Sequence, residues 1–213
     1  MLKGKGLFYV LVLLVHISAR LVHLTWLADV TKPLLMPVLI WLVWSSSLNQ
    51  KQYFLLLALF FSLCGDVLLM FSGSLYFMLG LGAFLLAHVC YIVVLSRYFV
   101  FNGVRVLPFV AFSSLMIFGV LNGQLPVDLE IPVGFYVLTI TVMGIFAVSG
   151  SRLSPIHYEK VLAGAVLFIL SDSFIAVDKF VNTIPFASFW VMSTYGMAQY
   201  LMVSGLTSRG KES

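Results

Sequence analysis

Apolar residues run along this chain in stretches of about twenty, broken by short groups of glycine, proline, serine and asparagine. A helix that crosses a bilayer needs about 20 predominantly apolar residues. The pattern predicts eight such helices: Leu7 to Leu27, Pro33 to Ser46, Tyr53 to Phe71, Leu75 to Leu95, Val104 to Leu121, Ile131 to Ser149, Tyr158 to Val177 and Ile184 to Leu206. The interruptions carry turn chemistry, namely Ser72-Gly73-Ser74, Asn102-Gly103, Asn122-Gly123-Gln124 with Pro126, Ser149-Gly150-Ser151 with Pro155, and Asn182 with Pro185. The second span is the shortest and has Pro33 and Pro37 in its first turns.

Composition agrees with the pattern. The 213 residues are 62% hydrophobic and 9% charged, where a soluble domain carries about 25% charge, and the mean hydropathy is +1.09. The expected fold is all-α, a polytopic membrane bundle forming a single integral membrane domain over residues 1–213. Lys3 and Lys5 ahead of an apolar run resemble a signal peptide, but Arg20 and His23 interrupt the run and no small-residue cleavage site follows, so a retained first span is expected. Cys64 and Cys90 both fall within spans and read as small buried apolar side chains rather than a disulfide.

The formal charge of +4 is scattered singly over loops, which argues against nucleic acid and for topology. Lys3, Lys5, Lys51, Arg97, Arg105, Arg152, Lys160, Arg209 and Lys211 fall on one side of an eight-span arrangement, and only Lys32 and Lys179 on the other. Basic loops face the cytoplasm, which places both termini there, in a multi-pass protein expected in a bacterial inner membrane. A faint internal echo links Cys64-Gly65-Asp66 in span three with Leu170-Ser171-Asp172 in span seven, as two parallel four-helix halves would produce.

Ionisable groups inside spans cost roughly 2.5–3.5 kcal/mol each on insertion scales and are functional candidates by default. Asp66 and Asp172 each lie about five residues from the outer ends of their spans, at similar depth at 1.5 Å per residue. Two carboxylates can therefore share one site. His16, Arg20 and His23, spaced by four and three, share one face of span one, and Lys32 opens span two from the same outer side. His88 with Tyr91, and Tyr195 with Gln199, suggest a polar layer about 20 Å down, without direct contact to the aspartates. Each group also has a structural reading, as neutralised packing pairs for Asp66, Asp172, Arg20 and Lys32, and as a hydrogen-bonded interior residue for His88. His16, and His157 beside Pro155, are assigned no function, and Asp178 and Lys179 cap span seven. No metal or other cofactor is expected, since His16 and His23 lie two turns apart and no HExxH-like spacing occurs. A Ser171–His88–Asp66 triad lacks both a motif and matching depths.

Thr31-Lys32-Pro33-Leu34, Gly65-Asp66-Val67-Leu68-Leu69, Ala87-His88-Val89-Cys90-Tyr91, Gly164-Ala165-Val166-Leu167-Phe168 leading to Ser171-Asp172-Ser173 with Phe180, and Ala198-Gln199 with Gly205, occur in that order along the chain. In that order they resemble the YhhN family, which includes the TMEM86-type lysoplasmalogenases. The resemblance implies a membrane hydrolase that cleaves the vinyl ether bond of lysoplasmalogen, giving a fatty aldehyde and glycerophosphoethanolamine or glycerophosphocholine, with the family's motif aspartates at Asp66 and Asp172. One departure is Asp178, where relatives carry asparagine before the Lys-Phe pair. The chemistry suits two carboxyls, one protonated to deliver a proton to the alkene carbon and one ionised to steady the oxocarbenium ion and activate water. Lys32 and Arg20 would hold the head-group phosphate. Asp178, His88, Tyr91, Tyr195 and Gln199 complete the expected substrate contacts. A proton-coupled transporter or lipid-binding membrane protein, and a metal-dependent ceramidase-like lipid hydrolase, are the competing readings of the same residues.

Overall fold

The computed structural model describes residues 2–45 and 49–207, and among them every regular element is helical. Eight α-helices follow in order: α1 (Leu2–Leu21), α2 (Thr25–Trp44), α3 (Gln50–Leu68), α4 (Ser74–Leu95), α5 (Gly103–Ser114), α6 (Val127–Val148), α7 (Pro155–Phe180) and α8 (Ala187–Thr207). A 3-10 turn at Ser96–Tyr98 extends α4, and a π-helical stretch at Leu115–Val120 extends α5. The first seven helices, α4 and α5 with these extensions, are long and apolar enough to cross a bilayer. Large apolar side chains such as Trp26, Trp44, Val104, Phe118 and Phe135 stay exposed on the outside of the bundle, where lipid rather than water is their natural solvent. This is the build of an integral, multi-pass membrane protein.

Consecutive helices run antiparallel. Lys5 near the start of α1 lies 4.0 Å over the Trp41 ring near the end of α2, and Arg97 beyond α4 donates to Gln50 at the start of α3. Phe77 early in α4 meets Phe180 at the end of α7, which marks the opposite, distal end of the bundle. Packing closes a ring in the order α1, α2, α3, α4, α6, α7, α8 and back to α1, with α2 also touching α8, while α5 packs along the outside of α6. The closest pairings, α3 with α4 and α7 with α8, rest on small residues. A Cβ on Gly164 of α7 would come within 3.0 Å of the Ala198 carbonyl oxygen of α8, so only glycine lets the two backbones approach this closely.

Two expected boundaries are corrected. The first span does not run to Leu27, and the second does not start at Pro33: the break falls at residues 22–24. Leu24 N–H donates to the Ala19 carbonyl and His23 N–H to the Arg20 carbonyl, with His23 at φ 58°, which is a Schellman ending. Histidine occupies the left-handed position usually taken by glycine or asparagine, so no turn residue flagged the break. Pro33 and Pro37 lie inside α2, which a membrane helix tolerates when neighbours satisfy the freed carbonyls. Lys32 is therefore the eighth residue of α2, roughly 11 Å beyond its start. His23, outside α1 and exposed, also leaves the helical face it was expected to share with His16 and Arg20. Ser46, the expected end of the second span, and Arg209 and Lys211 of the basic count lie outside the described residues, as does the side chain of Lys3.

Candidate functional site

Asp66 lies in the last turn of α3 and is 2% exposed. The Tyr195 hydroxyl of α8 donates to its Oδ2 at 2.7 Å. Behind this pair runs a directed chain of hydrogen bonds. Tyr91 of α4 donates to Gln199 Oε1 at 2.5 Å, and Gln199 Nε2 donates to Ser62 Oγ at 3.0 Å and to Tyr195 Oη at 3.4 Å. The path Tyr91 to Gln199 to Tyr195 runs donor to acceptor toward the Asp66 carboxylate, and hydrogen bonds aligned head to tail reinforce one another in a low-dielectric interior. Lys32 supplies a positive charge that bears on Asp66 and, among the described residues, makes no hydrogen bond or ion pair of its own.

Asp172, near the distal end of α7, repeats the arrangement with other elements. The Tyr136 hydroxyl of α6 donates to its Oδ2 at 2.5 Å. Between the two tyrosine–aspartate pairs lies an aromatic partition. His88 is edge-on to Tyr136 at 5.3 Å and to Phe168 at 4.8 Å, and Phe168 is edge-on to Tyr195 at 5.5 Å.

A cavity opens on one side of this partition, enclosed by α4, α5 with its π-helical stretch, α6 and α7. Its lining is apolar except for Ser113, Tyr136, Asp172 and Ser173. Ser113 is occupied with Thr141 and Ser173 donates to the Ile169 carbonyl, which leaves the Asp172–Tyr136 pair as the polar spot on the wall of an oily slot. Phe84 lines the slot and packs perpendicular to Tyr195 with ring centroids 5.8 Å apart, and Asp66 is not among the slot's lining residues. At the distal mouth the Lys179 ammonium sits 4.3 Å over the ring of Phe77, itself part of the lining.

The remaining sequence candidates fall elsewhere. Arg20 reaches Asp29 at 3.8 Å and lines a separate distal pocket with His23 and the start of α8. His16 is buried with Nδ1 2.9 Å from Thr31 Oγ1; that hydroxyl spends its own hydrogen on the Leu27 carbonyl, which makes His16 Nδ1 the donor. His88 is fully buried, neither ring nitrogen has a hydrogen-bond partner among the described residues, and it does not line the slot. Asp178 accepts the backbone N–H of Ile184 at 2.8 Å and shapes the turn after α7. Ser171 donates to the Val191 carbonyl, so it takes no part in a triad with His88. Among the described residues no three His, Cys, Asp or Glu side chains gather as a metal site would need. Tyr195 was expected in a deeper layer out of contact with the aspartates; it bonds Asp66 directly, because α8 starts at Ala187 and Tyr195 is only about 12 Å from that end. Tyr136 was missed. No ionisable neighbour marks it along the apolar stretch of α6, and the available signal was that a tyrosine hydroxyl inside a membrane must find a partner.

The model of the YhhN family matches residues 27–206, taking in Lys32, both tyrosine–aspartate pairs, the partition and the slot. The chain belongs to the YhhN family. Arg20 and His23 lie outside the YhhN match, as they lie outside the slot. Similar proteins include the lysoplasmalogenase TMEM86A of Bos taurus, 33% identical over 156 residues that make up 71% of this chain and 64% of that protein. TMEM86A of Homo sapiens is 32% identical with the same coverage, and lysoplasmalogenase TMEM86B of Rattus norvegicus is 56% identical over 48 residues, 22% of this chain and 21% of its own. This YhhN chain thus spans less than two thirds of the length of the TMEM86A proteins. No solved structure matches it.

Proposed function

We propose that this chain is a membrane hydrolase that cleaves the vinyl ether bond of lysoplasmalogen, releasing a fatty aldehyde and glycerophosphoethanolamine or glycerophosphocholine. The observation that carries this reading is the slot: an apolar channel with the Asp172–Tyr136 pair on its wall and its two serines already hydrogen-bonded elsewhere, with a second carboxylate behind the aromatic partition. The names borne by the TMEM86A and TMEM86B relatives support the same substrate.

Asp172 is the proton donor, since it faces the slot and Asp66 does not. The alkene carbon remote from the ether oxygen takes the Asp172 proton, the C=C electron pair forms the new C–H bond, and positive charge spreads over the adjacent carbon and the ether oxygen. Asp66, ionised beside Lys32 and accepting from Tyr195, stabilises that charge through the partition without touching the substrate. Water then adds to the cationic carbon and gives its proton to the Asp172 carboxylate, restoring the acid. The hemiacetal breaks its bond to the glycerol oxygen, which leaves as an alcohol with the hydroxyl proton, and the aldehyde remains. Lys32 serves Asp66 rather than the phosphate; the head group lies at the distal mouth beside Lys179.

In the same proposal α8 is an eighth crossing, the chain is one membrane domain and both termini face the cytoplasm, in keeping with the segregation of basic residues. The test is incubation of purified protein with lysoplasmalogen and with its saturated ether and acyl counterparts. Aldehyde from the alkenyl lipid alone is the expected result. Fatty acid from the acyl lipid would make the protein a lysophospholipase, and no product from any of the three would favour a transporter or lipid-binding role.

A further inference from the structure

The slot has a second boundary besides its distal mouth. Phe112 of α5 and Ile169 of α7 line it, and the same two side chains line a groove on the outside of the bundle, completed by Pro108, Phe109, Val166 and Leu170. They are thus a partition one side chain thick between the space at Asp172 and the lipid-facing surface. Ile169 precedes Asp172 by three residues and so lies one turn farther from the distal end on the same face of α7.

The helix forming the other wall is built to yield. No residue of α5 is buried. It packs along α6 and has no comparable contact with α7. Pro108 removes one backbone hydrogen bond from it, and its distal end passes into the π-helical stretch, another form of weakened backbone. Its attachment to α6 is specific: Ser113 bonds Thr141, and Phe109 lies where a Cβ on Gly144 would meet its ring at 2.5 Å and Ile169 at 2.9 Å. Hinged on α6, α5 can move from α7 without losing its own anchors.

Resting on the hydrolase reading, we propose that the α5–α7 groove is the berth for the far end of the substrate's hydrocarbon chain. The chain enters the slot beside Asp172, passes between Phe112 and Ile169, and ends among the lipids of the membrane midplane. A single-chain lipid is the occupant because the slot leads from a charged mouth past one polar pair to an apolar exit, the order of groups in such a molecule. A closed pocket measures its ligand; an open one does not. Long and short chains are accordingly accepted alike, and Phe112 and Ile169 are the residues that allow it.

The experiment has two arms. In nanodiscs, a lysophospholipid with a diazirine at the chain terminus is photolysed and the adducts mapped by mass spectrometry. Adducts on Pro108, Phe109, Val166 or Leu170 that excess unlabelled lysophospholipid displaces are expected. Adducts confined to α1, α2 or α8, or groove adducts that are not displaced and so reflect bulk lipid, overturn the proposal. In the second arm, aldehyde release is compared for short-chain and long-chain substrates. Ile169→Trp is expected to lower kcat/KM for the long chain by about tenfold more than for the short one, the scale set by a few misfit methylenes, while wild type treats both within a few-fold. An equal loss on both substrates by a variant that melts like wild type counts against the proposal. Should wild type release no aldehyde at all, the hydrolase reading falls, and displaceable labelling in the groove alone decides the chain's path.

Discussion

Asp66 and Asp172 were legible as residues because a carboxylate within an apolar run has few reasons to be there. What the sequence could not convey was their inequality: Asp172 lines the slot and Asp66 does not, with the rings of Phe84, Phe168 and His88 packed between the two tyrosine–aspartate pairs. That inequality gives graded expectations. Asp172→Asn removes the transferable proton and should lower aldehyde release by about 10²–10⁴-fold, the usual worth of a general acid. Asp66→Asn keeps the proton donor and loses only a field, so a smaller loss in kcat with KM little changed is expected; an Asp66→Asn variant slower than Asp172→Asn would reverse the assignment. Tyr136→Phe deletes one hydrogen bond to Asp172, worth about 0.5–1.5 kcal/mol net, which corresponds to a loss of several-fold in steady-state rate. Tyr136 itself was illegible because an isolated tyrosine among apolar residues looks the same whether its hydroxyl meets a carboxylate or the membrane surface.

Elements were easier to find than their ends. Wherever glycine, proline or asparagine punctuated the chain, as at Ser72-Gly73-Ser74 or Asn102-Gly103, the break fell where it was expected. It was misplaced where a histidine did the work of a glycine, and where Pro33 resembled a helix start while sitting inside α2. The error mattered, since it moved Lys32 from the rim of the bundle to a place where it acts on Asp66. The turn makes its own prediction. A residue with a Cβ in the left-handed region costs about 1–2 kcal/mol, and a β-branched one costs more. His23→Gly should therefore raise the thermal midpoint in detergent by a few degrees and His23→Val lower it, with activity intact because His23 lies outside the slot. Equal midpoints for the two variants would place the end of α1 elsewhere.

At the scale of the whole molecule, seven helices are long and apolar enough to cross a membrane and α8 falls short, and the reason lies in how the bundle is packed. Tyr195, Gln199 and Thr207 of α8 are buried and hydrogen-bonded inside the protein, and the backbone of α8 lies against Gly164 of α7. A scale that scores each residue as if it faced lipid penalises a helix whose polar groups face other helices. The 21 residues of α8 reach about 31 Å at 1.5 Å per residue, the thickness of a hydrocarbon core of about 30 Å. α8 runs antiparallel to α7 and closes the ring against α1, which suits the proposed eighth crossing. Reporter fusions at the two ends of the chain should therefore both read as cytoplasmic, and a C-terminal reporter on the far side would mean seven crossings and a ring assembled some other way. Gly164→Leu probes the same seam independently. Its side chain has backbone on the far side, and overpacking of this kind costs about 1–3 kcal/mol. A lower melting temperature should accompany lost activity, because the displaced helix carries Tyr195, and with it the hydrogen bond that holds Asp66. If the variant melts like wild type, α7 and α8 are not pressed together as the ring requires.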